Sequence, residues 1–292
     1  MKRKKALPWD EQPAPAPNYD DFKITIDDKD GRASEWGYED ETITVKGWTE
    51  HIAGSKVYFS DVVIAHPTQL RTALANGKFP ASAYPSDMAR QVNAVIATNG
   101  DFSGYRESGM IIRQGVCYRT KKYDKLTWDV LLIDDKGDFH ITDDRKLDEE
   151  SFSKGKYTEN GETYNIVNTM HFGPSLVVDG KRKILHMQSG CGNQVNETYQ
   201  RSHTAIGQLG PLHYLMCCVE ETDAGMKPES YGTNIPTMAD IMSSKGCIQA
   251  YNLDGGQSTT LVFGNKTLNF VNRGGERELS EILYFASAAN LD

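Results

Sequence analysis

Residues 237–259 read Thr237-Met238-Ala239-Asp240-Ile241-Met242-Ser243-Ser244-Lys245-Gly246-Cys247-Ile248-Gln249-Ala250-Tyr251-Asn252-Leu253-Asp254-Gly255-Gly256-Gln257-Ser258-Thr259. This stretch changes its periodicity twice. From Thr237 to Lys245, Met238, Ile241 and Met242 share one helical face. Thr237 can cap the free amides, Asp240 favours the positive helix end, and Gly246 closes the helix. Cys247 to Tyr251 then reads as a strand that stops at Asn252-Leu253-Asp254-Gly255-Gly256. Polar groups thus collect where a strand ends, which is where binding and catalytic sites concentrate.

Outward from this stretch, short apolar alternations recur in Val57 to Ile64, Ala94 to Ala97 and Trp128 to Ile133, and they predict strands. Asp135-Lys136-Gly137 and Val178-Asp179-Gly180-Lys181 predict hairpin turns, because their Asp and Gly positions accept positive backbone angles. A second helix is predicted from Pro67 to Asn76, closing on Gly77. No fixed-period repeat appears, which argues against a propeller or solenoid. The expected fold class is α+β: a single strand-rich mixed domain over residues 22–292 with a few helices packed on the sheets. Residues 1–21 carry Lys2-Arg3-Lys4-Lys5 and then Pro8, Pro13, Pro15 and Pro17, the composition of a disordered Pro-rich tail or linker. The basic start resembles the head of an export signal. Ala6-Leu7-Pro8-Trp9-Asp10 stands where the apolar run should be, so no export signal is recognised.

The 292 residues are enough for a self-sufficient core, and the net charge of −8 with no basic stripe argues against nucleic-acid binding. No obligatory protein partner is evident. Cys117, Cys191, Cys217, Cys218 and Cys247 form an odd set without a C-x-x-C pair, so buried free thiols are expected. There is no H-E-x-x-H and no G-x-S-x-G, and Gly264-Asn265-Lys266-Thr267 lacks the glycine spacing of a P-loop. Asn196-Glu197-Thr198 and Asn265-Lys266-Thr267 match glycosylation sequons at a frequency chance accounts for.

Asp254 before Gly255 and Gly256 puts a carboxylate beside backbone bare of side chains, which lets a ligand approach the main-chain amides. Asn99-Gly100-Asp101-Phe102 repeats this grammar after an apolar strand from Val92 to Thr98. Either segment alone reads equally well as a tight turn. Ser202-His203-Thr204 brings a histidine, titrating near neutrality, to the start of an apolar stretch, although a lone histidine is more often structural. Arg106, Arg113, Arg201, Arg273 and Arg277 sit in the same glycine-bearing regions, and guanidinium forks fit phosphate oxygens.

Taken in order, these segments resemble the phosphodiester glycosidase family, which includes the mannose-6-phosphate uncovering enzyme and bacterial exopolysaccharide-associated proteins. The resemblance runs from about Val57 to Phe285. It rests on Asn99 to Phe102, Arg113-Gln114-Gly115, Phe172 to Lys181, Thr204 to Gly207 and Asn252 to Ser258, followed by Arg277 and Ser280. Three departures stand out. Ser202-His203 replaces the Pro-Arg of the family, Gln257 replaces its third glycine, and no Asp-Gly-Arg appears in Val219 to Asp223.

The resemblance implies cleavage of the bond between a sugar's anomeric carbon and phosphate, with an oxocarbenium-like centre stabilised by carboxylates. It implies catalytic roles for Asp101, Asp254 and His203. Asn99 and Asn252 would hold sugar hydroxyls, and His203 with Arg113 or Arg277 would bind phosphate. Gly255 and Gly256 would admit substrate to backbone amides, with Gly100, Thr204 and Ser258 completing the binding set. No cofactor is required by this chemistry, and a divalent cation beside Asp101 and Asp254 is compatible with it. The expected partner is a sugar-phosphate or glycan substrate, met in an extracytoplasmic or cell-surface setting. Two other readings use the same residues: a phosphate-independent glycosidase acting on polysaccharide, and a catalytically inactive glycan-binding member.

Overall fold

Alternation along the strands assigns each side chain to one of two apolar layers. In the strand Ser55–Ile64, Tyr58 and Val62 face one core while Val57 and Phe59 face another; in His213–Val219, Met216 and Cys218 oppose Leu215, Cys217 and Val219. A period of two with both faces apolar marks a sheet covered on both sides. The computed structural model describes residues 6–123, 128–183, 200–226 and 229–291. Among these described residues it is strand-rich and mixed, with 44% strand and three α-helices.

The large sheet has nine strands, in spatial order Lys23–Asp27, Arg32–Glu39, Ile43–Ile52, Ser55–Ile64, His213–Val219, His203–Gly210, Gln249–Asn252, Ser175–Val178 and Lys181–Arg182. A five-stranded sheet runs Lys266–Thr267, Leu261–Phe263, Ala94–Asn99, Glu281–Ala286 and Leu70–Leu74. All pairings in both are antiparallel among the described residues. The two sheets face each other across the largest core, where Tyr58, Ile206, Met216 and Cys218 meet Ile96, Leu261, Phe263, Leu283 and Phe285. The helix Ile235–Ser244 covers the outer face of the large sheet, and Pro85–Gln91 covers that of the smaller one. A four-stranded sheet of Phe139–Asp143, Asp129–Asp134, Glu162–Met170 and Lys156–Glu159 carries its own small core with the third helix, Glu149–Ser153. Among the described residues no helix is long and apolar enough to cross a membrane.

Several local expectations change. The helix begins two residues before Thr237, because Asn234 accepts the Thr237 amide at 2.9 Å and Pro236 sits in the first turn, where its missing N–H costs nothing. The helix expected from Pro67 is a single 3-10 turn, Pro67–Gln69, followed by the strand Leu70–Leu74. The buried Gln69 amide explains the switch. It accepts the Ala65 and His66 amides at 3.1 and 3.0 Å and donates to the Ala286 carbonyl at 2.9 Å, tying the chain into the sheet. The hairpin turns stand as expected, with Gly137 at φ 84° and Asp179 and Gly180 at 50° and 71°.

The Pro-rich segment, expected as a disordered tail or linker, instead lies against the small sheet from Leu7 onward. Arg71, fully buried, donates to the carbonyls of Leu7, Pro8, Trp9 and Glu11, and Leu7 and Ala14 join the core under the helix Pro85–Gln91. A buried guanidinium needs acceptors, and this backbone supplies them. Cys217, Cys218 and Cys247 are buried free thiols and Cys117 is a half-buried one; Cys191 and the Asn196 sequon lie outside the described residues.

Candidate active site

Two strands from the two facing sheets end side by side. Ala94–Asn99 delivers Asn99, Gly100 and Asp101, and Gln249–Asn252 delivers Asn252, Leu253 and Asp254. Asn99 joins them. Its Nδ2 donates to the Asp254 carbonyl at 2.8 Å, and its Oδ1 accepts the Thr204 hydroxyl at 2.7 Å and the Thr260 amide at 3.3 Å. The Asp254 amide returns to the Gly100 carbonyl at 3.2 Å, and Leu253 N–H to the Thr204 carbonyl at 2.8 Å. The structure therefore brings Asn99, Gly100, Thr204 and Asp254 together, although up to 155 residues separate them. Asn99 is fully buried with its amide committed to protein partners, so it clamps the sheets and has no face for a sugar hydroxyl. Asn252 is buried too; its Nδ2 donates to the Gly173 carbonyl at 2.9 Å, and its Oδ1 lacks a hydrogen-bond partner.

Asp101 and Asp254 occupy different surroundings. Asp101 is wholly buried: Oδ1 accepts from Arg113 Nη2 at 2.8 Å, Oδ2 accepts the His171 amide at 2.6 Å, and Arg106 Nη2 stands 3.6 Å away. Burial alone would push this carboxyl up, but the Arg113 and Arg106 guanidiniums outweigh it and hold Asp101 at about 2. Arg113 is itself enclosed and also donates to the carbonyls of Ile112 and Thr169. The structure thus places Arg113 on Asp101 inside the protein, away from any exposed phosphate.

Asp254 is 8% exposed, and burial raises its carboxyl above the ordinary range despite its partners. Oδ2 accepts the Ser258 hydroxyl at 2.5 Å and Arg277 Nη2 at 3.0 Å, while Oδ1 accepts the Gly255 amide at 2.9 Å. Arg277 also donates through Nε to Ser258 Oγ at 2.8 Å, and its side chain stays 38% exposed. Asp254, Ser258 and Arg277 therefore form a hydrogen-bonded triad with one cationic face open to solvent. Gly255 is required here: a β-carbon on it would lie 2.6 Å from the Ser202 carbonyl. Gln257, in place of a third glycine, donates to the Gly275 carbonyl at 3.1 Å and ties this turn to the loop before Arg277.

His203 adjoins the same turn. Its Nε2 lies 3.1 Å from the Thr233 carbonyl, which can only accept, so the ring carries its proton on Nε2. Its Nδ1 lone pair then faces Gly255, 3.4 Å from where a β-carbon would stand. Burial lowers this imidazole to about 4. At neutral pH it is an uncharged acceptor, which suits a hydroxyl and not a phosphate.

Glu281 escaped the sequence reading. Fully buried at the head of the last strand, it accepts the Asp101 and Ser103 amides at 3.1 and 3.2 Å and the Ser280 hydroxyl at 2.6 Å, as well as the Ser103 hydroxyl. Burial and the Asp101 charge raise its carboxyl. Its side chain occupies the space that a β-carbon on Gly100 would need, at 2.5 Å. The available signal was an acidic residue opening an otherwise apolar strand, opposite an Asn-Gly-Asp turn. Among the described residues no three His, Cys, Asp or Glu side chains converge as a metal-holding group.

The sequence pattern of the phosphodiester glycosidase family matches residues 92–286, a span that holds every residue of this site. The chain is 28% identical over 204 residues to the SPbeta prophage-derived uncharacterized protein YomE of Bacillus subtilis (strain 168), covering 67% of this chain. It spans 28% of that relative's length. Among solved structures, the catalytic domain of zebrafish N-acetylglucosamine-1-phosphodiester alpha-N-acetylglucosaminidase, auto-inhibited by its pro-peptide, superposes with a TM-score of 0.65 at 13% identity, over 91% of this chain and 88% of that one. A hypothetical protein from Synechocystis gives a TM-score of 0.55 at 15% identity, over 86% and 63% of the two chains. At such identities the structures show a shared fold. The family pattern covers about two thirds of the sequence, and the chain belongs to the phosphodiester glycosidase family.

Proposed function

We propose that the protein hydrolyses sugar-1-phosphodiesters, breaking the bond between the anomeric carbon and the phosphate oxygen, on a cell-surface or extracellular glycan. Water supplies a hydroxyl to the sugar and a proton to the departing phosphomonoester. The observation that carries this reading is the Asp254–Ser258–Arg277 triad at the meeting point of the two sheets, floored by Gly255.

The two charges of the triad suit the two halves of such a substrate. The exposed guanidinium of Arg277 takes phosphoryl oxygens, and a phosphate so held departs with little need of an acid. The Asp254 carboxylate, in a site that excludes most water, stabilises positive charge as it develops at the anomeric carbon and can receive a proton from the attacking water. Neutral His203 accepts a sugar hydroxyl through Nδ1. Asp101 contributes from beneath: its carboxylate is consumed by Arg113 and the His171 amide, so it positions the Asn99–Ser103 turn and does not touch substrate.

Purified protein should release free sugar and a phosphomonoester from a sugar-1-phosphodiester. Asp254→Asn should fold and lose that release. Robust hydrolysis by the folded variant would remove Asp254 from the chemistry. Equal turnover of a phosphate-free glycoside would move the protein to the ordinary glycosidases.

A further inference from the structure

The strand Lys23-Ile24-Thr25-Ile26-Asp27 forms one border of the nine-stranded sheet. Its inner edge pairs with Arg32–Glu39, and among the described residues its outer edge pairs with no strand. A row of backbone amides and carbonyls is thus open to a further strand. The bulge in the inner pairing does not interrupt that row. Thr25 lies opposite Glu35 and Ile26 opposite Ala33, so the extra residue is Ser34 on the neighbour, and the border strand itself stays regular. Lys23 and Thr25 are exposed, and Ile26 is 50% exposed. The other borders of the two facing sheets offer less. Lys181–Arg182 and Lys266–Thr267 are two residues long, and at Leu70–Leu74 the Thr72 amide and carbonyl are already taken by Gln114 and Gln12.

Lys-Ile-Thr-Ile-Asp is complementary to its own reverse. Two such strands, antiparallel about a two-fold axis at Thr25, set Lys23 of one copy opposite Asp27 of the other, Ile24 opposite Ile26, and Thr25 opposite Thr25. Opposite charges, β-branched apolar pairs and threonine pairs are the cross-strand contacts that stabilise a sheet, whereas like charges directly opposite destabilise it. A slip of two residues loses both ion pairs, and a slip of one sets isoleucines against charged or polar residues, so the pattern fixes a single register. A lysine on a border strand ordinarily discourages pairing. Here an aspartate four residues on stands where it receives that lysine from a second copy. Among the described residues neither Lys23 nor Asp27 is spent on an ion pair within the chain; Asp27 Oδ1 accepts the Lys29 amide at 2.9 Å.

We propose that the chain forms a two-fold symmetric dimer in which Lys23–Asp27 pairs with the same strand of a second copy, joining two nine-stranded sheets edge to edge. The interface is isologous, so each charge is satisfied twice over by one short sequence. A five-residue edge is a small contact of the weak class, which populates the dimer at about 100 μM and above. The dimer stands apart from the diester cleavage proposed above, since Asp254 follows the seventh strand of the sheet and the contact is at the first.

Sedimentation velocity of the full chain between about 10 μM and about 1 mM tests this, and the mass should rise toward that of two chains. Lys23→Asp and Asp27→Lys each turn both ion pairs of the dimer into like-charge pairs, so each should raise the dimer Kd about tenfold. An equimolar mixture of the two variants should dimerise again, as should the double variant Lys23→Asp/Asp27→Lys, because every lysine then faces an aspartate. Thr25→Cys provides a second readout. Directly opposite residues stand about 4.5–5.5 Å apart at Cα, within disulfide reach, so this variant should cross-link to itself under oxidised glutathione while Lys29→Cys, beyond the strand, should not. Three outcomes overturn the dimer: a monomer across the whole concentration range; a dimer untouched by either charge reversal, or not restored in the mixture; or equal cross-linking at positions 25 and 29. Should a charge variant fail to fold, the wild-type mass and the position 25 cross-link decide between the same outcomes.

Discussion

Replacing Asn99 by alanine should disconnect the two sheets where the site is built. The side chain is fully buried and makes three long-range hydrogen bonds, to the Asp254 carbonyl, the Thr204 hydroxyl and the Thr260 amide. Alanine leaves all three groups in place with no water to replace the lost amide. A buried polar group stripped of its partner costs about 1–3 kcal/mol. Taking the low end for the rotatable Thr204 hydroxyl and the long Thr260 contact, the sum is about 3–5 kcal/mol, a large share of the roughly 5–15 kcal/mol that holds a domain folded. Urea unfolding measures this directly, with Thr204→Val as control. That change removes one bond and fills the space with a methyl group, and it should cost about 1 kcal/mol. Residual folded Asn99→Ala should also lose diester hydrolysis, because the Asp254 backbone has lost its anchor. A loss of stability under about 1 kcal/mol, with activity retained, would refute the clamp, since no accounting of three abandoned buried groups gives so little.

Removing Arg277 tests the triad through pH. Burial already raises the Asp254 carboxyl while Arg277 pulls it down, so Arg277→Gln should raise it further. The acidic limb of kcat/KM, which tracks formation of the carboxylate, should move to higher pH as KM rises; an unmoved limb would mean that another group titrates. His203 should titrate at about 4 by NMR and stay neutral across pH 5.5–8, so substrate affinity should show no histidine step there. Its folded value lies below the ordinary 6.5, so the unfolded chain binds the extra proton first, and stability should fall as pH drops from 6.5 toward 4. A midpoint near 6.5 in the folded protein would contradict its burial. Gly255→Ala should cost about 1–3 kcal/mol and most of the activity, because its methyl group meets the Ser202 carbonyl, a backbone atom that no rotamer can move aside; unchanged thermal unfolding would show that the turn can yield.

Much of this was legible along the chain. Local physics decides alternation and turns, so the strands Ser55–Ile64 and Ala94–Asn99, the hairpin at Gly137 and the strand-end grammar of Asn99–Asp101 and Asn252–Gly256 were readable in one dimension. Turn residues at two strand ends also pointed to one site, and the matched family pattern over residues 92–286 includes both. Pro67–Asn76 was misread because its fate lies in a contact 217 residues away, Gln69 with the Ala286 carbonyl, which propensity cannot register. The N-terminal prolines looked like a free tail because nothing near them reveals that a buried arginine 60 residues on requires their carbonyls.

By itself, then, the sequence determined several of the strands, which residues carry polar chemistry, and that both Asp-bearing turns follow strands. Only the tertiary structure decided what surrounds each of those residues. Asp101 and Asp254 look alike as text, an aspartate beside glycine at the end of an apolar run. Folding encloses one between two guanidiniums and a main-chain amide and leaves the other slightly open, at 8% exposure, beside the half-exposed Arg277. The physical reason is that a carboxylate's role follows from its dielectric surroundings and its partners. Both are set by residues that meet it only when the sheets close.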